Sequence, residues 1–242
     1  FKMCPKHVFG LSATPTRKDG LTKVLHWFMG PTFFEAERKN QEQVEVFPIE
    51  YKCDRFQDPP PCTRFGKLSL ATMITELTED RGRNIVILKL VKDIVKTTRQ
   101  VLVLSDRRHH CEVMHQSFKK TSGLYMGGMK EADLTESSKK QIIFATFSQA
   151  HEGLDIPTLD TVILATPKSD IVQSIGRIMR ETKGKKNNPH IYDIFDQWSI
   201  CHAMYKKRLK VYKQGGFHIP ILNSQKNEDE TPFKKGECFI NI

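Results

Sequence analysis

Two short stretches constrain this chain more than any others. Val101-Leu102-Val103-Leu104 and Val162-Ile163-Leu164-Ala165 are apolar at every position. A strand with one wet face alternates apolar and polar residues, so an unbroken β-type run is the pattern of a strand covered on both faces. The rest of the chain has the rhythm that such strands require. Strand patterns at 44–51, 101–105, 123–126, 141–146, 161–166 and 190–195 alternate with helical patterns at 68–77, 84–96, 108–120, 170–181 and 197–213. That is the order of repeated strand–helix–strand units. The expected fold is α/β, a parallel sheet with helices on both faces.

Residues 1–43 break the rhythm. His7-Val8-Phe9-Gly10-Leu11 reads as a strand, yet no partner strand lies nearby in sequence, so this segment is expected to be the end of a preceding domain and a linker. The sheet domain is expected over 44–221. Within it, 54–66 contains Pro59-Pro60-Pro61 and reads as a loop or lid-like connection. From 222 to 242 the composition turns polar, which predicts a tail, docked if at all through Phe239 and Ile240. There is no internal repeat. The first residues, Phe1-Lys2-Met3-Cys4-Pro5, lack an initiator Met and an apolar leader, so the chain reads as part of something longer. No apolar run has membrane-spanning length, because 85–95 is interrupted by Lys89, Lys92 and Asp93. No membrane partner is expected.

Charge narrows the partners. Thirty-eight Lys and Arg against 28 Asp and Glu leave +10, and an excess of that size favours polyanions through counterion release. Nucleic acid is the leading expectation. The six cysteines, Cys4, Cys53, Cys62, Cys111, Cys201 and Cys238, show no Cys-x-x-Cys spacing and read as reduced thiols of a cytosol-like compartment. Cys111 and His115 share a helix face, but no second Cys/His cluster matches them, so no metal site is expected.

In a parallel sheet, ligands meet the carboxyl ends of strands. Those ends carry a consistent set here. Ser105-Asp106-Arg107 follows the first fully apolar strand. Thr146 ends the strand pattern at 141–146 and opens a loop, 147–152, leading to Gly153-Leu154-Asp155-Ile156-Pro157. Thr166-Pro167 ends the next strand, and a helix bearing Gln173, Arg177 and Arg180 follows at once. Positions i, i+4 and i+7 share a helix face, so these three side chains align while Ile175, Ile178 and Met179 supply the buried side. Two guanidiniums less than one turn apart form a natural clamp for phosphate oxygens. Taken singly, Thr146 is also an ordinary strand-ending hydroxyl, Asp155 a turn former, and Ser12 and Thr14 helix caps. Their order along the chain is what singles them out.

That order resembles the C-terminal half of superfamily 2 helicases. Ser12-Ala13-Thr14 is similar to motif III, Val101 to Arg107 to motif IV, Thr146 with Gly153-Leu154-Asp155-Ile156-Pro157 to motif V, and Gln173-x-x-Gly176-Arg177-x-x-Arg180 to motif VI. Gly10-Leu11-Ser12-Ala13-Thr14-Pro15, continuing through Arg17 and Asp19-Gly20 to Gly30-Pro31, narrows the resemblance to the XPB/UvsW-type branch. The region 75–84, with Arg83-Asn84, is similar to helicases of large cytoplasmic DNA viruses of the poxvirus transcript-release and African swine fever virus type. The resemblance implies a RecA-like second lobe working on ATP and Mg2+. It implies that Arg177 and Arg180 are arginine fingers, that Gln173 positions the nucleotide, and that Asp155 with Gly153 contacts the ribose or couples nucleotide state to strand grip. Ser105, Arg107 and Thr146 are implied to touch the nucleic-acid backbone, and Ser12 and Thr14 to link hydrolysis to domain closure. It also implies a cytoplasmic setting, DNA in preference to RNA, 3′ to 5′ polarity, and a viral transcription or genome-handling role.

The departures from the family matter as much. No Gly-x-x-x-x-Gly-Lys-Ser/Thr occurs, and no Asp-Glu box precedes Ser12. The phosphate cradle and the magnesium carboxylate are therefore expected on an N-terminal RecA-like lobe of the same protein, and the chain alone is expected to be inactive. The alternatives are a non-catalytic nucleic-acid-binding module of the same fold and a motor subunit of a restriction-type complex. Lys183-Gly184-Lys185-Lys186 and Lys206-Lys207-Arg208 with Lys210 and Lys213 fit either a phosphate track or a solvated polar face.

Overall fold

The strands assemble in register with their burial. Strands β1 (Glu45–Tyr51), β2 (Val101–Ser105), β3 (Ser122–Tyr125), β4 (Ile142–Thr146), β5 (Thr161–Leu164) and β6 (His190–Asp196) form one sheet in the order β1-β6-β5-β2-β4-β3. Every pairing is parallel, and β2, β4 and β5 are buried at each position. This computed structural model describes residues 6–12, 19–34, 44–152, 154–178 and 187–220; the side chains of Glu152, Gln173, Arg177 and Ile178 lie outside the described set.

Alternation along the strands divides the core in two. Leu102, Leu104, Ile143, Val162, Leu164 and Ile191 face Phe147 and Ala150 of α6 (Phe147–Glu152), Ile175 of α7 (Val172–Ile178) and Tyr212 of α8 (Ser199–Gln214). Val101, Val103, Ile142, Phe144 and Ile163 face Ile87 and Val91 of α3 (Arg81–Val95) and Cys111 and Met114 of α4 (Arg108–Gln116). Each such aliphatic side chain, once fully buried, stabilises the fold by roughly 1.5–3 kcal/mol before entropy is counted. A third cluster, Phe56, Met73, Leu77, Trp198 and Cys201, joins α2 (Leu70–Glu79) to the start of α8. Side-chain caps fix where two helices begin: Ser69 Oγ accepts the Thr72 N–H at 3.3 Å, and Asp80 Oδ1 accepts the Arg83 N–H at 2.7 Å.

The connections place the site. From β2 the chain runs to β3 and back to β4 on one side, then crosses β2 to reach β5 and β6 on the other. The carboxyl end of β2 therefore lies where the connections diverge, the position at which α/β sheets open a crevice.

Four expectations change. The segment 147–152, expected as a loop, is α6, because Phe147 and Ala150, three residues apart, both bury against the sheet. Helix α5 (Glu131–Ser138) was not anticipated; its one large apolar residue, Leu134, gives no periodic signal. The chain divides into two compact units, Phe1–Asn40 and Gln41–Ile242. In the first, α1 (Thr22–Met29) is also additional and buries no residue. His7 to Leu11, expected as a strand, has no regular structure; with no strand beside it among the described residues, its N–H and C=O groups have no described ladder to join.

Candidate nucleotide and nucleic-acid edge

At the carboxyl end of β2 the polar groups are turned inward. Ser105 is 1% exposed; its Oγ accepts the Arg107 N–H at 3.1 Å and lies 2.9 Å from His110 Nδ1. His110 Nε2 is 3.1 Å from Asn84 Oδ1, and Asn84 Nδ2 donates to the Thr78 carbonyl at 2.8 Å. This chain of bonds assigns the proton: His110 donates from Nε2 to Asn84 and accepts the Ser105 hydroxyl at Nδ1. Burial, with the charges of Arg83 and His109 adding to it, pushes the His110 pKa down to about 3, so the ring is neutral. The Ser105 hydroxyl, expected at the nucleic-acid backbone, is engaged on both sides within the fold. Arg107 is half-buried and ties β2 to α2, donating to the Ala71 carbonyl at 2.8 Å and to Thr75 Oγ1 at 3.3 Å. Thr146, in register with Ser105, is 7% exposed with its Oγ1 at 3.4 Å from Ser148 Oγ. A half-open cleft of about 310 Å³ lies beside this edge, lined by residues that include Thr75, Asn84, Arg107, His109 and His110.

The carboxyl ends of β5 and β6 are ionic instead. Arg83, fully buried, donates from Nε to Asp196 Oδ1 at 2.7 Å and from Nη2 to Oδ2 at 3.1 Å, and its Nη1 reaches the Ala165 carbonyl at 2.6 Å. From α8, Arg208 Nε donates to Asp193 Oδ2 at 2.9 Å, Nη2 lies 2.8 Å from Oδ1, and Nη1 reaches the Lys168 carbonyl at 2.5 Å. Tyr212 donates its hydroxyl to Asp193 Oδ2 at 2.7 Å. The turn is tied on its outer side as well: the Asp106 N–H donates to Thr166 Oγ1 at 2.9 Å, and Lys168 Nζ is 3.0 Å from Asp106 Oδ1. Helix α7 begins four residues after Lys168 and is joined to α6 by His151 Nε2 and Ser174 Oγ at 2.9 Å.

The remaining expected residues distribute as follows. Gln173 and Arg177 sit on α7, their side chains outside the described residues, while Gly153, Thr14 and Arg180 lie outside them altogether. Asp155 is exposed, held outward by Leu154 and Ile156, which both bury. Ser12 is exposed in the first unit. Cys111 is buried with its Sγ 3.5 Å from the Ala145 carbonyl, burial pushing the thiol up to about 12, and His115 Nδ1 is 2.7 Å from Ser122 Oγ. Among the acids of this edge, Asp106, Asp193 and Asp196 are each matched to a cation.

Sequence reasoning missed His110, Asp193 and Asp196, and it named Arg83 only within the viral resemblance. Arg208, expected on a phosphate track or a solvated polar face, is instead buried against Asp193. A signal existed for the aspartates. Two acids inside His190-Ile191-Tyr192-Asp193-Ile194-Phe195-Asp196 place charge within an interior strand, which demands buried partners.

Residues 72–182 match the family described as Helicase conserved C-terminal domain. Over 218 residues the chain is 34% identical to the "Putative ATP-dependent RNA helicase L396" of Acanthamoeba polyphaga mimivirus, covering 86% of this chain and 41% of that protein. It is 23% identical over 264 residues to the "Putative ATP-dependent RNA helicase QP509L" of African swine fever virus, covering 99% and 51%. Over 142 residues it is 29% identical to the "Transcript termination protein A18" of rabbit fibroma virus, covering 53% and 30%. Among solved structures, T4 UvsW superposes with a TM-score of 0.55 at 18% identity, covering 73% of this chain and 40% of that one. The C-terminal domain of the DEAD-box protein Dbp5 superposes at 0.52 with 11% identity, covering 74% and 91%. These structural likenesses establish the RecA-like fold. The chain spans about half or less of the length of these curated relatives.

Proposed function

We propose, on the premise that the chain carries the C-terminal helicase half of the viral superfamily 2 type, that it is the second lobe of an ATP-driven nucleic-acid motor. One observation carries the reading: α7, bearing Gln173 and Arg177, starts directly beyond the carboxyl end of β5, beside the point where the sheet's connections diverge. In the sequence Arg180 follows Gln173 and Arg177 at the i+7 and i+3 spacing of one helix face. ATP bound chiefly by another lobe would present its γ-phosphate to this face, where Arg177 and Arg180 stabilise the charge that develops on phosphoryl transfer. Gln173 positions the nucleotide. Asp155, exposed between two buried neighbours, contacts the ribose or relays nucleotide state to the grip on the strand.

Nucleic acid passes along the same edge. Of the three residues assigned to its backbone, Arg107 keeps the most solvent-facing area, so contact runs through Arg107 and the rim of Thr146 rather than through Ser105. The +10 net charge supports a polyanionic track. Sequence reading favours DNA, whereas the mimivirus and African swine fever virus relatives carry RNA-helicase names. By itself the chain is expected not to hydrolyse ATP, since no Walker-type phosphate loop occurs in it.

The test is ATP hydrolysis by the intact protein that contains this chain, with single-stranded DNA, single-stranded RNA or neither, beside Arg180→Ala. Stimulation that falls at least about tenfold in the variant, with nucleic-acid binding retained, is the expected result, and the better activator names the track. Hydrolysis indifferent to Arg180 would leave a binding module that kept the fold.

A further inference from the structure

Two buried arginines do more than balance two buried aspartates. Asp193 and Asp196 are three apart on β6 and so face opposite sides of the sheet; Asp193 meets Arg208 of α8, and Asp196 meets Arg83 of α3. Both arginines have donors to spare after pairing, and both send Nη1 to the same short turn, to the carbonyls of Ala165 and Lys168. A guanidinium is suited to this because its rigid fork can hold a carboxylate with one edge and a carbonyl with another, which an ammonium cannot do. Arg83 is further fixed at its own backbone by the Asp80 cap, and its neighbour Asn84 fastens His110 and through it Ser105. The Arg83-Asn84 pair thus ties β2, β5 and β6 at one corner.

We infer that Arg83 and Arg208 are positioning residues, which fix from both faces of the sheet the turn that launches α7. The inference rests on reading α7 as the nucleotide-facing helix, since a turn held to this degree sets where its first two helical turns point. The turn between β5 and α7 is seven residues, 165–171; besides the two arginines it is held by the Ala165 N–H on the Leu104 carbonyl at 2.9 Å, by burial of Ala165 and Ile171, and on the outer side by Thr166 and the Lys168–Asp106 pair. Nothing on Arg83 or Arg208 reaches solvent, so neither is placed to touch substrate itself.

The test uses the intact protein with Arg83→Lys and Arg208→Lys, which keep each charge against its aspartate and remove the fork. Amide hydrogen exchange over 165–178 is expected to quicken by at least about tenfold relative to β2 and β4. Nucleic-acid-stimulated hydrolysis is expected to lose about tenfold in kcat at nearly constant KM. Unchanged exchange in that segment overturns the inference whatever hydrolysis does. Leu77→Ala, in the third cluster and away from the turn, serves as the control for general destabilisation; an equal kcat loss there at matched Tm also overturns it. Where a lysine variant fails to fold, Arg83→Met with Asp196→Leu removes the Ala165 tie without leaving a buried charge, and exchange over 165–178 should rise roughly threefold, the scale of one hydrogen bond; no rise refutes the inference. If exchange responds while Arg177→Ala leaves hydrolysis intact, positioning stands and the arginine-finger reading falls.

Discussion

The carboxyl edge of the sheet is held in two chemically different ways. At β2 the ties are neutral, running from Ser105 to His110 to Asn84 to the Thr78 carbonyl. At β5 and β6 they are ionic, with Arg83 on Asp196 and Arg208 on Asp193. Both sets are buried, so the low dielectric strengthens each bond and penalises each unpaired group. They differ in what can undo them. A neutral network fails when a proton is added to it, whereas an ionic one fails when either partner is removed. The β2 end is thereby sensitive to acid, and the β5–β6 end to deletion.

The sharpest way to break this comparison is to delete one ion. Asp196→Ala leaves the Arg83 guanidinium fully buried with only the Ala165 carbonyl as acceptor. Loss of one partner of a buried pair typically costs about 3–5 kcal/mol, and that loss is expected in denaturant unfolding of the intact protein. The double replacement Arg83→Met with Asp196→Leu removes both charges and is expected to recover much of it, because the desolvation penalty disappears with the pair. A single variant costing less than about 1 kcal/mol, the worth of one neutral hydrogen bond, would mean that water reaches the site and that the two ends do not differ as argued.

The two ends were also unequally legible. Strand positions followed from apolar runs such as Val101 to Leu104, because burial on both faces leaves no room for alternation. Helices α5 and α6 were not legible, since Leu134 alone, or Phe147 with Ala150, is too little periodicity to register. His7 to Leu11 has strand composition but no strand partner among the described residues, and pairing is a property of the fold and not of the segment. In the candidate site, the order from Thr146 through Asp155 to Gln173, Arg177 and Arg180 is a spacing along the chain, which a sequence displays directly. Arg83 and Asp196 act through a contact 113 positions apart, which no local pattern encodes. The internal bond of Ser105 was illegible for a related reason: its partner His110 comes round only in the first turn of α4.

Acid sharpens the comparison from the other side. The folded pKa of His110 is pushed down to about 3 from an ordinary 6.5, so the unfolded chain takes up the proton first as pH falls. The stability that this residue contributes is fully present above 6.5 and is lost progressively from there towards 3. One such group costs about 1.4 kcal/mol per pH unit in that window. His115 and His190 are lowered as well, both mainly by burial, and act in the same direction. The expected outcome is a Tm that falls between pH 6.5 and 5 and falls less steeply in His110→Gln. Identical slopes would show that His110 takes a proton in the fold without penalty, and the neutral network would then not be what holds β2.

The smallest effect tests whether burial, and not distance, separates strong from weak ties. Lys96 Nζ lies 2.7 Å from Asp93 Oδ1, the same separation as Arg83 Nε from Asp196 Oδ1. The Lys96 and Asp93 side chains are 69% and 68% exposed, against none for the buried pair. Water competes for both charges, the lysine stem loses rotamer freedom in pairing, and salt screens what is left. Lys96→Ala is therefore expected to change stability by no more than about 0.5 kcal/mol, with even that erased in high salt. A loss approaching that of Asp196→Ala would place the strength of these ties in their 2.7 Å geometry and remove burial as the ground for setting the ionic end of the edge apart.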